Sequence, residues 1–151
     1  MDLNGKTAIV TGGASGLGYA VAQLFLEKGM RVGVLDLPGE ENQEKVEDLG
    51  PEASFLPGDI TQSETIQQGL QRLQEQWEPI RVAVNCAGIG IAVKTLSKGK
   101  ACPLEIFQKT VEINLTGTFN VCRLAAETMA TLEPLEEGER GVIVNTSSIA
   151  A

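Results

Sequence analysis

The sequence contains no histidine in its 151 residues. This absence excludes Ser-His catalytic triads, histidine general bases and histidine metal ligands, because each of them needs an imidazole. Most hydrolase mechanisms are therefore excluded by composition. Cysteine is also scarce: Cys86, Cys102 and Cys122 lack the CxxC spacing of zinc and redox sites. We expect no metal site, and we expect reduced thiols, since an odd number of cysteines cannot all pair within the chain.

Basic residues are few and scattered. The chain has 12 Lys and Arg against 20 Asp and Glu, a formal net charge of -8. Without a basic stripe, the sequence argues against nucleic acid and against an anionic membrane surface as partners. No apolar run is long enough to cross a membrane, and we expect neither a signal nor a transit peptide. A hydrophobic content of 42% suits one domain, residues 1–151.

Short β-branched runs alternate with longer segments of helical periodicity, a pattern typical of parallel strands covered by helices. Strands are predicted at residues 7–11, 32–35, 53–56, 82–84 and 142–144. The sequence therefore predicts an α/β fold, the N-terminal portion (about five strands) of a Rossmann-type doubly wound parallel sheet.

Helices are predicted between these strands. The first ends before Arg31 and the second, which is acidic, ends near Asp48. The third runs to about residue 77, with Thr61 as its N-cap and Glu64 as the capping-box partner. A long fourth helix covers residues 104–132, between predicted loops at 89–103 and 133–141.

A glycine-rich turn joins the first strand to the first helix. Gly12, Gly16 and Gly18 stand in the strand-turn-helix context that a dinucleotide-binding fingerprint requires. Glycine lets the backbone approach a pyrophosphate, and the first helical N–H groups face its negative charge. The alternative is a plain turn.

Asp36 ends the second strand, 18 residues after Gly18. A carboxylate there can accept hydrogen bonds from a ribose diol and would repel a 2′-phosphate. Neither Ser15 nor Leu37 supplies a guanidinium that could neutralise such a phosphate, so the cofactor expected is NAD. The alternative is a surface Asp that begins the turn before Pro38-Gly39.

The spacing of these glycines after Thr11 is the TGxxxGxG form that short-chain dehydrogenases/reductases carry, and the chain resembles that family at three further places. Asn85-Cys86-Ala87-Gly88 is similar to the family's NNAG motif, with Cys in the second position. Asn114 falls where the family has a helical asparagine, and Ser148 falls where it has its catalytic serine.

Several longer stretches resemble one subgroup, the type-2 3-hydroxyacyl-CoA dehydrogenases, also called type-10 17β-hydroxysteroid dehydrogenases. These stretches are residues 9–18, 35–38, 82–89 and 117–121, together with the loop that carries Lys94, Lys98 and Lys100. The resemblance implies a small-molecule substrate of the acyl-CoA or steroid class, a homotetramer for the full-length form, and the mitochondrial matrix or the cytoplasm as its location. The three lysines either approach the phosphates of a CoA substrate or belong to a solvated loop.

Carried over position by position, the resemblance implies that Asp36 holds the adenosine ribose. It also implies that Asp59 accepts a hydrogen bond from the adenine amino group while the Ile60 N–H reaches a ring nitrogen. The cofactor-binding candidates are Gly12, Ser15, Gly16, Leu17, Gly18, Asp36, Asp59, Ile60, Asn85, Cys86, Ala87 and Gly88. The alternative for Asp59 is an ordinary turn residue after a strand.

The resemblance also implies catalytic roles for Ser148, which would hydrogen-bond the substrate oxygen, and for Asn114, which would interrupt its helix and hold a water in the proton relay. Ser147 is an alternative to Ser148, and Asn114 has an ordinary capping or solvated residue as its alternative. The family's acid/base is a tyrosine in a Tyr-x-x-x-Lys helix, and the only tyrosine here, Tyr19, has no lysine four places on. We therefore expect this chain alone to be inactive, so that it acts either as the cofactor-binding half of an oxidoreductase or as a non-catalytic NAD-binding or interaction module.

Overall fold

The computed structural model describes residues 1–148. Five parallel strands form one sheet, as predicted: β1 (Thr7–Thr11), β2 (Arg31–Asp36), β3 (Ala53–Pro57), β4 (Val82–Asn85) and β7 (Val142–Asn145). Their order is β3-β2-β1-β4-β7. The last three residues of the predicted domain, 149–151, lie outside the described range.

Helices cover both faces of this sheet. They are α1 (Gly16–Glu27), α2 (Glu40–Glu47), α3 (Ser63–Gln76), α4 (Leu104–Val111) and α5 (Thr118–Ala130). Side chains alternate along β1, so Ile9 enters one apolar cluster while Ala8 and Val10 enter the other. The cluster around Ile9 contains residues of α3 and α5, and the opposite cluster contains residues of α1 and α2. This double coverage explains why the central strands β1, β2 and β4 are buried along their length rather than at alternate residues.

The long helix predicted at residues 104–132 is not one regular helix. A π-helical segment, Glu112–Gly117, separates α4 from α5, and α5 ends at Ala130. Hydrophobic periodicity did not reveal this break, because the apolar residues recur at the same average spacing on both sides of it. Asn114 lies inside the π-helical segment.

The predicted loop at 89–103 contains a small antiparallel hairpin, β5 (Leu96–Ser97) with β6 (Lys100–Ala101). Its two turn residues, Lys98 and Gly99, both have positive φ, 50° and 74°. That backbone is typical of a type I′ hairpin turn. All four strand residues are exposed, so no alternation of apolar and polar residues marked them in the sequence.

The sheet brings the carboxyl ends of β1, β2, β3 and β4 to one edge. Thr11 pairs in register with Leu35 on one side and with Asn85 on the other. The strand order reverses between β1 and β4, and ligands of open α/β sheets bind at the carboxyl edge beside such a reversal.

Candidate functional site

A cavity of about 470 Å³ opens at this carboxyl edge of the sheet. Its volume lies within the range of small-molecule and cofactor sites. Eleven of the twelve cofactor-binding candidates line it: Gly12, Ser15, Gly16, Leu17, Gly18, Asp36, Asp59, Ile60, Cys86, Ala87 and Gly88.

The glycine loop forms one wall of the cavity through close backbone contacts. Gly12 has a φ of +64°, and a Cβ on it would lie 2.8 Å from the Ala87 Cα and N atoms. A Cβ on Gly18 would collide with the Gly12 carbonyl oxygen. The loop therefore fits between β4 and the start of α1 only if both positions are glycine.

The N-terminus of α1 faces the cavity without a side-chain cap. Its N-cap, Ser15, makes no side-chain capping hydrogen bond, and the first turn contains no acidic residue. The first N–H groups of a helix lack intrahelical acceptors and carry partial positive charge. An anionic group in the cavity would satisfy them.

Asp36 joins β2 to the glycine loop. Its Oδ2 accepts a hydrogen bond from the Ala14 N–H at 2.9 Å, and its Oδ1 accepts one from the Leu37 N–H at 2.8 Å. Each carboxylate oxygen has a second lone pair. The side chain therefore fixes the loop and keeps acceptor capacity at the cavity wall.

Asp59 and Ile60 form a turn at the end of β3. The Asp59 Oδ1 atom accepts from both the N–H and the hydroxyl of Thr61, at 2.9 and 2.8 Å. The prediction of Thr61 as a helix N-cap is wrong, because its hydroxyl donates to Asp59 and α3 begins at Ser63 with Gln62 as its N-cap. These hydrogen bonds orient the Asp59 carboxylate at the cavity.

Asn85, the twelfth candidate, does not line the cavity. Its buried amide donates to Asn145 Oδ1 at 2.8 Å and to the Cys122 Sγ atom at 3.4 Å. As the last residue of β4, it points into the sheet interior while the residues after it form the cavity wall. The Asn-Cys-Ala-Gly motif correctly indicated that this segment of the chain forms part of the site. It did not indicate the direction of the Asn85 side chain.

Thr11 fixes the wall that follows Asn85. Its Oγ1 accepts from the Ala87 N–H at 3.2 Å and from the Cys86 N–H at 3.3 Å. The backbone of residues 86–88 is therefore held beside the cavity. Burial raises the pKa of the Cys86 thiol, which lines this wall.

Neither catalytic candidate, Asn114 or Ser148, is among the residues that line the cavity. Asn114 Oδ1 accepts from the Ile89 N–H, and its Nδ2 donates to the Ile89 carbonyl, both at 2.8 Å. This reciprocal pair fastens the chain just after Gly88 to the π-helical segment. Ser148 is exposed, lies three residues after the end of β7, and is not among the residues that line the cavity.

Six lining residues were missed in the sequence: Leu35, Leu37, Gly58, Ile89, Lys109 and Ile113. Ile113 immediately precedes Asn114, so the asparagine motif was a signal for it. Lys109 lies one helical turn before Ile113 and is paired with Glu112 at 3.2 Å. Its place at the cavity depends on where the tertiary structure positions α4, which no local pattern encodes.

Within residues 1–148 no group of three or more His, Cys, Asp or Glu side chains could hold a metal ion. None of the helices in that range has the length and apolarity that a membrane crossing requires.

Comparison with known proteins identifies relatives along almost the whole chain. The short chain dehydrogenase family model matches residues 6–151. The chain is 44% identical to the 3-hydroxyacyl-CoA dehydrogenases type-2 of Bos taurus and Homo sapiens over 99% of its own length, and it spans 58% of theirs. The Drosophila melanogaster protein of the same name is 42% identical.

A solved structure gives the same result. The crystal structure of 3-hydroxyacyl-CoA dehydrogenase type-2 from Mycobacterium avium superposes with a TM-score of 0.91 at 34% identity. The match covers 99% of this chain and 60% of that one. The glycine loop, the parallel sheet and the carboxyl-edge cavity thus occur together in a chain that belongs to the short-chain dehydrogenase family.

Proposed function

We propose that the full-length protein is an NAD-dependent oxidoreductase that moves a hydride between nicotinamide and a secondary alcohol or ketone. The observation that carries this proposal is the position of Asp36, which lines the cavity while its carboxylate holds the Ala14 amide of the glycine loop. The Asp36 side chain therefore lies where the adenosine ribose of NAD is proposed to bind, and it also holds the glycine loop that is proposed to bind the pyrophosphate.

The choice of NAD over NADP rests on charge. Asp36 places a carboxylate where a 2′-phosphate would otherwise lie. Lys109 is the one basic residue among those that line the cavity, and it is already paired with Glu112. A second phosphate on the ribose would thus meet repulsion from Asp36, and within residues 1–148 no unpaired basic side chain lines the cavity to offset it.

The adenine end of the cofactor is proposed to lie against Asp59 and Ile60. A carboxylate next to a backbone N–H presents an acceptor beside a donor, which matches the amino group and ring nitrogen of adenine. The Asp59 carboxylate is already oriented by Thr61, so this pair needs little rearrangement to bind.

The chemistry is divided between the cofactor and the protein. Bound NAD would accept the hydride from the alcohol carbon. Ser148 would donate a hydrogen bond to the substrate oxygen and stabilise negative charge that develops on it. Asn114 holds Ile89 with one hydrogen bond from each end of its amide, which leaves its remaining donor and acceptor capacity for a water in the proton relay. The general acid/base would be a tyrosine of a Tyr-x-x-x-Lys helix in the full-length protein, with its phenolic pKa lowered by the lysine.

The proposed substrate is an L-3-hydroxyacyl-CoA or a hydroxysteroid. The names of the relatives support the acyl-CoA class. Lys94, Lys98 and Lys100 are exposed on and beside the β5–β6 hairpin, where ammonium groups can meet CoA phosphates.

The test is NADH formation from 3-hydroxybutyryl-CoA by the full-length protein. We expect turnover with NAD, weak turnover with NADP, and loss of activity when the Tyr-x-x-x-Lys tyrosine is replaced by Phe. Undiminished activity of that variant would refute the mechanism, and failure of the wild type to bind NAD would refute the proposed function.

A second proposal is that the 151-residue chain binds NAD without turnover. Eleven of the twelve cofactor-binding candidates line the cavity, whereas the sequence has no Tyr-x-x-x-Lys. Calorimetric titration of this chain with NAD tests the proposal, with the absence of NADH formation as the second measurement.

Assembly is proposed on the family pattern, as a homotetramer of the full-length form. Large apolar side chains on the helices that follow the hairpin are exposed, among them Phe107, Leu115 and Phe119. Surfaces of this kind are rare on monomers. Sedimentation of the full-length protein at several concentrations would show a tetramer, and a stable monomer would contradict the proposal.

A further inference from the structure

We infer that Asn120 is a positioning residue for adenine recognition: it fixes the Ile60–Thr61 peptide, and this peptide fixes the Asp59 carboxylate at the cavity. The inference rests on the proposed binding of NAD. It concerns a buried side chain on α5 that is not among those lining the cavity.

The first observation is a direct hydrogen bond from Asn120 to the adenine turn. Asn120 is 7% exposed, and its Nδ2 donates to the Ile60 carbonyl oxygen at 2.9 Å. Gly117, three residues earlier in the chain, meets the same residue: a Cβ there would lie 2.7 Å from the Ile60 Cγ1 atom. The two residues therefore hold Ile60 by its carbonyl and by its side chain.

A second set of hydrogen bonds fixes the orientation of the Asn120 amide. Its Oδ1 accepts from Arg123 Nε at 2.9 Å and from Ser63 Oγ at 3.0 Å. Arg123 Nη2 also donates to Ser63 Oγ, at 2.8 Å. Because guanidinium groups only donate, the atom beside Arg123 must be the oxygen, and the amide nitrogen must face Ile60.

The Ile60–Thr61 peptide transmits this orientation to the cavity. Its carbonyl accepts from Asn120, and its N–H donates to Asp59 Oδ1 at 2.9 Å. Hydrogen bonds at the two ends of one peptide group polarise and orient one another. Asn120 thus helps to orient the Asp59 carboxylate, although only the peptide group between Ile60 and Thr61 connects the two side chains.

The substitution that tests this is Asn120→Asp. Aspartate has nearly the same shape and keeps an acceptor for Arg123 and Ser63, but it has no N–H for the Ile60 carbonyl. In the full-length protein we expect ADP to bind about tenfold more weakly, because the released peptide no longer holds the Asp59 carboxylate in place, and one hydrogen bond to the adenine amino group accounts for about one power of ten in affinity. Binding of nicotinamide mononucleotide is expected to stay unchanged, because it lacks the adenine.

Discrimination between ADP and IDP separates positioning from general destabilisation. IDP carries a carbonyl where ADP has its amino group, so a well-oriented Asp59 carboxylate should reject it. We expect Asn120→Asp to lower the preference for ADP over IDP by about tenfold. Leu124→Ala is the matched control: it lies one turn later in α5, buried in the apolar core, and should lower thermal stability without changing the preference.

Each outcome is decisive. Three results would overturn the role of Asn120 and leave the NAD proposal standing. They are an unchanged preference for ADP over IDP in folded Asn120→Asp, an equal change of that preference in Leu124→Ala, and a wild type that binds ADP and IDP equally. A wild type that binds neither NAD nor ADP would instead refute the proposed function. If Asn120→Asp does not fold, the double variant Ser63→Ala with Arg123→Met releases Oδ1 alone, and a loss of preference below about threefold would overturn the inference.

Discussion

Replacing Thr11 by Val should destabilise the protein through one backbone amide of the cavity wall. The side chain of Thr11 is buried, and its Oγ1 accepts from the N–H groups of both Cys86 and Ala87. The Cys86 N–H has a second acceptor, the Thr11 carbonyl oxygen at 3.2 Å. The Ala87 N–H has no second acceptor within residues 1–148, so it alone loses its partner in Thr11→Val.

The expected loss of stability follows from the one backbone N–H that loses its acceptor. An unsatisfied buried donor costs about 1–3 kcal/mol, and the part-buried Ala87 amide belongs in the lower half of this range. The bond from the Thr11 hydroxyl to Asn85 Oδ1 is long, 3.5 Å, and adds only a few tenths of a kcal/mol. We therefore expect a loss of about 2 kcal/mol, which lowers the midpoint of thermal unfolding by roughly 4–8 °C.

The assay is urea unfolding followed by circular dichroism, with Thr11→Ser as the control that keeps the hydroxyl. We expect the urea midpoint of Thr11→Val to fall at an unchanged m-value, and Thr11→Ser to lose less than half as much. NAD binding should weaken in Thr11→Val alone, because the amide it frees borders the cavity. The reasoning would be refuted by equal losses in the two variants: Thr11→Ser keeps the hydroxyl and loses only a methyl group, so the lost hydrogen bond would then add nothing to the destabilisation of Thr11→Val.

Three further predictions concern the cavity. Asp36→Asn should weaken NAD binding about tenfold and reduce the preference for NAD over NADP, as measured by calorimetry; a preserved preference would show that charge does not set it. The pKa of Cys86 is raised by burial, so its alkylation by iodoacetamide should be slow at neutral pH and accelerate only as the pH rises past the ordinary cysteine pKa. Because Cys86 lines the cavity, bound NAD should slow the alkylation further. Rapid labelling at pH 7, measured by mass spectrometry, would contradict this prediction. Gly18→Ala should lower NAD affinity at least tenfold while far-ultraviolet circular dichroism shows an intact sheet, because the added methyl meets the Gly12 carbonyl; unchanged binding would mean that the loop can shift.

The sheet was predictable because its central strands β1, β2 and β4 are buried on both faces, which makes apolar β-branched runs the local signal. Strand ends were less certain: β2 begins at Arg31, one residue before the apolar run, because the Arg31 N–H donates to the Lys6 carbonyl. The β5–β6 hairpin gave no such signal, since four exposed residues carry no pattern of burial.

Within the site, the sequence located residues whose type is dictated locally. Gly12 and Gly18 are required by backbone contacts within the loop and with Ala87, and Asp36 ends a strand beside that loop. Lys109 and Asn120 reach the site from helices far along the chain, so their positions depend on tertiary packing. The same limit explains Asn85, whose motif is correct although its side chain points inward.

Four polar side chains act on the cavity in the same manner, each by binding a backbone group rather than by filling space. Asp36 holds Ala14, Thr11 holds Ala87, Asp59 holds Thr61 and Asn114 holds Ile89, in every case through an N–H donor. Because these acceptors fix the wall segments at separate points, the cavity keeps its shape without a ligand. A preformed wall removes much of the ordering cost that binding would otherwise incur. Loss of any one acceptor should therefore weaken cofactor binding in addition to any loss of stability, since one wall segment is released while the two apolar clusters keep the sheet folded.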